Sequence, residues 1–248
     1  MKVGLFVTCL ADLFRPRTAF AALILLRRAG CDVETPRAQT CCGQPAFNSG
    51  DSADARKLAK NVIEAFEGFD YVVAPSGSCV GMLKHYPELF ADDPAWRERA
   101  KNFAGRANEL LSFLVDVCHY RPLGVELKAL ATYHDSCSGL RELKVEPQPR
   151  ALLANVKGLS LVPLPDVQSC CGFGGTFCVK YPAISNAIVD EKARNIESTN
   201  ADLLLGGDLG CLMNMAGKLH RRGSRVRAFH LAEIIAGMGD GPAIGEEP

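Results

Sequence analysis

The chain has 248 residues, 48% of them apolar, and its 28 Lys and Arg are matched by 28 Asp and Glu. That length suffices for one large domain or two moderate ones with buried cores. The charge balance argues against nucleic acid as the main partner, because phosphate binding needs a local cationic excess. The one basic cluster, KLHRRGSRVR at 218–227, reads as a helix end and a turn, its cations complementing the helix dipole; a docking patch for an acidic partner is the alternative. The longest apolar run, AFAALILL at 19–26, falls well short of the roughly 20 residues of a transmembrane helix. The opening MKVGLFVTCLADLF shows no small-residue cleavage site and reads as a strand rather than a signal peptide. The expectation is a soluble, cytoplasmic protein whose eleven cysteines stay reduced unless a metal holds them.

In chain order, residues 2–8 form a short apolar strand and 18–30 a helix ended by Gly30. Residues 31–36 are strand-like, 52–68 form a helix capped by Asp51 or Ser52, and 71–75 form a strand. A further helix opens over Cys79–His85, and the apolar-periodic segment RANELLSFL at 106–114 ends the half. The stretch HYRPLGVELK, 119–128, carries the proline and glycine expected of a junction. Beyond it come a strand at 130–134, a helix near 147–157, a strand at 159–165 and a helix at 182–198 closed by Thr199-Asn200. A strand at 202–207, a helix from Cys211 and the segment HLAEIIAGM at 230–238 complete the chain. Short strands alternating with helices imply parallel sheets with helical cover.

The cysteines repeat. Cys9 is followed by 31 residues, then Cys41-Cys42-Gly43, then Cys79; Cys137 is followed by 32 residues, then Cys170-Cys171-Gly172, then Cys211. The pattern C…CCG…C thus occurs twice, and its flanking segments correspond as well. The fold expected is α/β: two similar lobes from an internal duplication, each a small, mostly parallel sheet covered by helices, with domains at 1–122 and 123–248.

Each of these cysteines falls just after a strand or at a helix start. Such loops gather at the carboxyl end of a parallel sheet, where ligands bind, and helix N-termini there favour thiolate. Four converging thiolates are the ligand set of a four-cysteine iron–sulfur cluster or of a structural zinc. Zinc sites usually show C-x2-C spacing, which neither half has. Adjacent cysteines can occupy two corners of one site only if the backbone turns tightly, and the glycine after each pair permits that. A vicinal disulfide at both places is the alternative.

Other features are weaker. GFGGTF lacks the third glycine of a dinucleotide loop. His134 stands three residues before Cys137, where it can hydrogen-bond a cluster sulfur, pass a proton, or simply satisfy a loop carbonyl. Arg141 is a candidate anion binder or a solvated cation. Cys31 and Cys118 have no counterpart and read as small core hydrophobes; Cys178 is a spare ligand or a redox-labile thiol.

The segments SGSCVGM, HDSC-x-GLRELKV, CCGFGGTF, ADLLLGGDLGCLMNMAGKL and HLAEII together resemble the cysteine-rich CCG-domain family. Its members include the heterodisulfide reductase B subunit and iron–sulfur subunits of glycolate and anaerobic glycerol-3-phosphate dehydrogenases. The chain is most similar to a short, stand-alone, two-domain branch concerned with lactate. The resemblance places the family's ligand positions on Cys9, Cys41, Cys42 and Cys79, and on Cys137, Cys170, Cys171 and Cys211. In the reductase the last cysteine of each repeat opens a CxxC and five thiolates hold a noncubane cluster. Here Met82 and Asn214 take the second place, so one ordinary [4Fe–4S] cluster per half is the simpler fit. The resemblance implies a subunit of a three-protein assembly oxidising L-lactate to pyruvate, rather than a complete enzyme. Its partners would be the other subunits and a small 2-hydroxy acid. The iron–sulfur subunit of another 2-hydroxy-acid or glycerol-3-phosphate dehydrogenase, or a zinc-stabilised assembly scaffold, are the alternatives.

Overall fold

Apolar runs too short for a helix and bounded by turn residues settle as strands buried between helical layers. The computed structural model describes residues 1–246. In the first sheet, β1 (Lys2–Leu5), β2 (Asp32–Glu34), β3 (Tyr71–Ala74) and β4 (Ala107–Glu109) lie parallel in the order β2-β1-β3-β4. In the second, β5 (Glu126–His134), β6 (Lys157–Val162), β7 (Leu203–Gly206) and β8 (Arg227–His230) lie parallel in the order β6-β5-β7-β8. The two orders are the same, and the registers correspond: Leu5 pairs with Val73 as Tyr133 pairs with Leu205.

The outer strands β4 and β8 depart from the sequence reading. The segments at 106–114 and 230–238 begin, or are preceded, by three or four extended residues before turning helical. Runs that short give no periodic signal of their own. The expected helix near 147–157 is confined to Pro147–Leu153, and β6 begins at Lys157. A helix at Pro94–Arg106, capped by Asp93, was not expected. No helix among the described residues is long and apolar enough to cross a membrane.

Three apolar clusters hold the molecule. The central one joins both lobes, packing Leu25, Leu110 and Phe113 of the first against Tyr133, Leu205 and Phe229 of the second. Separate outer clusters lie beneath the other face of each sheet, around Phe6, Phe66 and Phe103 in the first lobe and Val189, Ile196 and Leu212 in the second. A buried ion pair also crosses between lobes. Arg15 donates to Glu233 from Nε at 3.0 Å and from Nη2 at 2.7 Å, and Thr18 donates to the same carboxylate at 2.8 Å. The remaining Arg15 donors reach the carbonyls of Pro242 and Ala243.

Candidate metal centre

All eight repeated cysteines stand at the carboxyl ends of the strands. Cys9 opens the helix Cys9–Phe14, whose cap Thr8 accepts from the Ala11 amide. Cys79 is the third residue of the helix Gly77–Leu89, and its amide donates to the capping Ser76 hydroxyl at 3.3 Å. In the second lobe Cys137 precedes the helical turn Ser138–Leu143, and Cys211 is the third residue of the helix Leu209–Arg221. Each Cys-Cys pair is followed by a glycine in the left-handed region, Gly43 at φ 85° and Gly172 at φ 82°. A Cβ on Gly172 would stand 2.7 Å from the Ser185 carbonyl oxygen, so the loop closes tightly on its neighbouring helix. The Phe173 ring lies where a side chain on Gly210 would go, clamping the loop to the turn that carries Cys211.

The thiols form two groups of four. Cys41 lies between Cys42 and Cys9, which hold its thiol down at about 2 with help from the Gly43 and Cys42 amides. Cys9 is pushed up by Cys41, by burial and by the nearby Cys79. Cys42 is pushed up by Cys41, Cys79 and burial. The second lobe repeats the arrangement. Cys170, between Cys137 and Cys171, is held at about 2, and the Gly172 amide donates to its sulfur at 3.3 Å. Cys137 is pushed up by Cys170 and burial, and Cys171 by Cys170, Cys211 and burial. Contact with Cys171 draws Cys211 down, but burial and the charges of Asp208 and Cys170 outweigh it and leave it raised. In each lobe one sulfur is held low by the two thiols that flank it, and a cation in place of their protons suits so crowded a set.

His134 joins the second group. One of its nitrogens and the sulfurs of Cys171 and Cys211 all lie within 4.8 Å of one another. The ring is fully buried and both nitrogens lack a partner among the described residues. Burial, with the nearby Lys192 charge, lowers its pKa to about 3, so the ring is neutral. Neighbouring Asp135 is held by a bidentate pair with Arg150 at 2.8 and 2.7 Å, which fixes the turn leading to Cys137. The donor set therefore fits a metal or iron–sulfur group: four sulfurs per lobe, amide donors beside them, and one orphaned ring.

The other sequence candidates fall outside the quartets. Arg141 is exposed and donates to the Gln168 carbonyl at 2.8 Å. The Cys178 thiol donates to the Gly175 carbonyl at 3.2 Å. Cys31 and Cys118 contribute to the central cluster as expected of small hydrophobes, but their sulfurs also meet at 3.8 Å, a pairing across 87 positions that nothing in the spacing announced. A cleft of about 700 Å³ lies at the opposite end of β5 from His134, lined by Arg28, Tyr120, Val125 and Leu127 among others.

The CCG family, described as "Cysteine-rich domain", matches this sequence twice, over residues 3–84 and 131–216. The chain belongs to the cysteine-rich CCG-domain family. It is 52% identical over 235 residues to Lactate utilization protein A of Geobacillus sp. (strain WCH70), covering 95% of this chain and 99% of that one. It is 51% identical to the protein of that name from Halalkalibacterium halodurans, and 48% to that of Bacillus pumilus, with 95% of this chain covered in both and 96% and 99% of theirs. The fold also resembles a crystal structure of a hypothetical protein from Helicobacter pylori, with a TM-score of 0.63 at 12% identity, covering 97% of this chain and 49% of that one.

The positions that depart from the reductase form of the CCG motif have structural work here. Asn214 donates its side-chain amide to the Cys171 carbonyl at 2.9 Å. In the first lobe Met82 fills the outer core, and the Tyr86 hydroxyl donates to the Cys42 carbonyl at 2.9 Å. Both CCG turns are thus tied to the helix bearing the last cysteine. Sequence reasoning missed Ser76 and Asp208, although a capping residue three places before each last cysteine was a readable signal. It also missed Lys192, which lies in the helix Pro182–Ser198.

Proposed function

We propose that the two cysteine quartets hold two iron–sulfur clusters, Cys9, Cys41, Cys42 and Cys79 in the lobe of residues 1–122, and Cys137, Cys170, Cys171 and Cys211 in that of 123–248. The chain is then an electron-transfer subunit of a multi-protein complex that oxidises L-lactate to pyruvate. The observation that carries this reading is the duplicated quartet, in a chain about half identical over nearly its whole length to proteins named for lactate utilization.

A bound cluster of this kind supplies one-electron transfer. Oxidation of a 2-hydroxy acid to a 2-oxo acid releases two electrons and two protons, so two one-electron sites in one chain suit such a reaction. The residues of the chain supply the thiolates, orient them from helix starts, and place the Gly172 amide against sulfur. Exposed apolar side chains on the segments that follow site cysteines, Leu13 and Phe14 after Cys9 and Val179 and Tyr181 after the CCGFGG turn, suit contact with partner subunits.

The test is metal and sulfide analysis of protein purified without oxygen, with the Cys42→Ser and Cys171→Ser variants. About four irons and matching sulfide per lobe are expected, each variant losing about half. Bleaching by L-lactate, in the presence of co-expressed partners, checks the substrate. Zinc without sulfide would support a scaffold instead, and variants that keep all their iron would overturn the ligand assignment.

A further inference from the structure

The two lobes match residue by residue around their quartets, which makes their differences informative. Phe6, the residue after β1, corresponds to His134, as the pairings Leu5–Val73 and Tyr133–Leu205 require. In the helix after each CCG turn, the buried series Ala55, Ala59, Val62 corresponds to Ser185, Val189, Lys192. The first centre is therefore backed by a phenyl ring and an isopropyl group, the second by an imidazole and an ammonium. His134 and Lys192 are each 1% exposed.

The protein around them satisfies Lys192 only in part and His134 not at all among the described residues. Both ring nitrogens of His134 lack partners among the described residues, yet the ring lies against Cys171 and Cys211. Lys192 donates to the Asp166 carbonyl at 3.0 Å; after burial, the Asp166 charge acts on its ammonium most, and Cys171, Cys137 and Cys170 are also close enough to act on it. A buried ammonium calls for a negative counter-charge, and a buried imidazole for a hydrogen-bond acceptor. A thiolate-held cluster offers both. Hydrogen bonds to sulfur and positive charge nearby stabilise the reduced form, which carries one more electron.

We propose that His134 and Lys192 make the second-lobe centre the more easily reduced of the two, His134 by donating a ring N–H to its sulfurs and Lys192 by offsetting its negative charge. Electrons entering the chain from the 2-hydroxy-acid side then come to rest in the second lobe. This inference rests on the iron–sulfur reading of the quartets.

The experiment is an anaerobic potentiometric titration, with dithionite as reductant and electron paramagnetic resonance as the readout. Two one-electron steps are expected in the unmodified protein. Cys42→Ser should keep the higher step and Cys171→Ser the lower. Lys192→Met and His134→Phe should each move the higher step down toward the lower one and leave the lower in place. Lys192→Arg and His134→Gln, which keep charge and donor, should restore most of the separation; Lys192→Met, close in length, serves where His134→Phe fails to fold. Iron and sulfide present with coincident steps, or with steps that Lys192→Met does not move, would overturn this proposal alone. Absence of iron would overturn it together with the function on which it rests.

Discussion

Ser76 and Asp208 occupy the same position in their lobes, each three residues before the last cysteine, and they bond to one another at 3.1 Å. Asp208 also accepts from the Ser78 amide at 2.9 Å. Its carboxylate leaves its own helix start uncapped by a side chain and serves that of the opposite lobe. The helix starts that carry Cys79 and Cys211 are thereby joined across the lobes through one carboxylate.

Asp208→Ala should remove the acceptor of a buried hydroxyl and a half-buried amide and destabilise the fold by about 1–3 kcal/mol. Urea unfolding of the variant checks this. Ser76→Ala, which leaves the Ser78 contact in place, should cost less.

Glu109 gives the fold a pH dependence. It caps the short helix after β4, accepting from the Leu111 and Ser112 amides, while its other oxygen is buried without a partner among the described residues. Burial is the largest influence and raises its carboxyl from 4.5 to about 7 against those amide bonds. A proton is then held more tightly folded than unfolded, so stability is greatest below about pH 4.5 for this group and declines as pH rises toward 7. The change is about 3 kcal/mol over that window. Glu109→Gln should flatten this part of the profile, measured as the difference between the two proteins from pH 5 to 7.5 by chemical unfolding. A difference that does not change across that range would count against the assignment.

The two CCG glycines should differ in their tolerance of alanine. Both lie in the left-handed region, which costs a non-glycine residue roughly 1–2 kcal/mol. At Gly43 the nearest atom to a new Cβ is 3.5 Å away, whereas at Gly172 the Ser185 carbonyl oxygen is at 2.7 Å. Gly172→Ala should therefore be the more damaging, by about a further 1–3 kcal/mol, with selective loss of metal from the second lobe. Thermal unfolding and metal content of the two variants decide it.

Arg15→Met should destabilise by about 3–5 kcal/mol, because it strands the Glu233 carboxylate in the interface between lobes. The double change Arg15→Met with Glu233→Leu should recover much of that loss. A double variant no more stable than Arg15→Met would show that the pair contributes through shape rather than charge.

The central strands were plain in the sequence because VGLF, YVVA, LATYH and LLLG are short, mainly apolar runs, the pattern of strands covered on both faces. The spacing of the quartets was equally plain, since a duplicated pattern marks its own register. The outer strands β4 and β8 were not, being three or four residues long and merged with helices. Pairings over long separations were also hidden. Arg15 and Glu233 lie 218 positions apart, and each alone reads as a solvated charge on a helix. Lys192 was hidden for a similar reason: a lysine in a helix is ordinarily a solvent residue, and only the packed fold buries it.

The apolar cluster common to both lobes has an implication for how the molecule is put together and comes apart. Either half produced alone would present Leu110 and Phe113, or Tyr133 and Phe229, as a bare greasy surface. Such a fragment is expected to pair with its own copy rather than persist as a monomer, a second chain covering the surface that the other half covers here. A gene for one repeat can thus precede its tandem fusion without any change of architecture, and in the fused chain melting of one repeat pulls the other down with it.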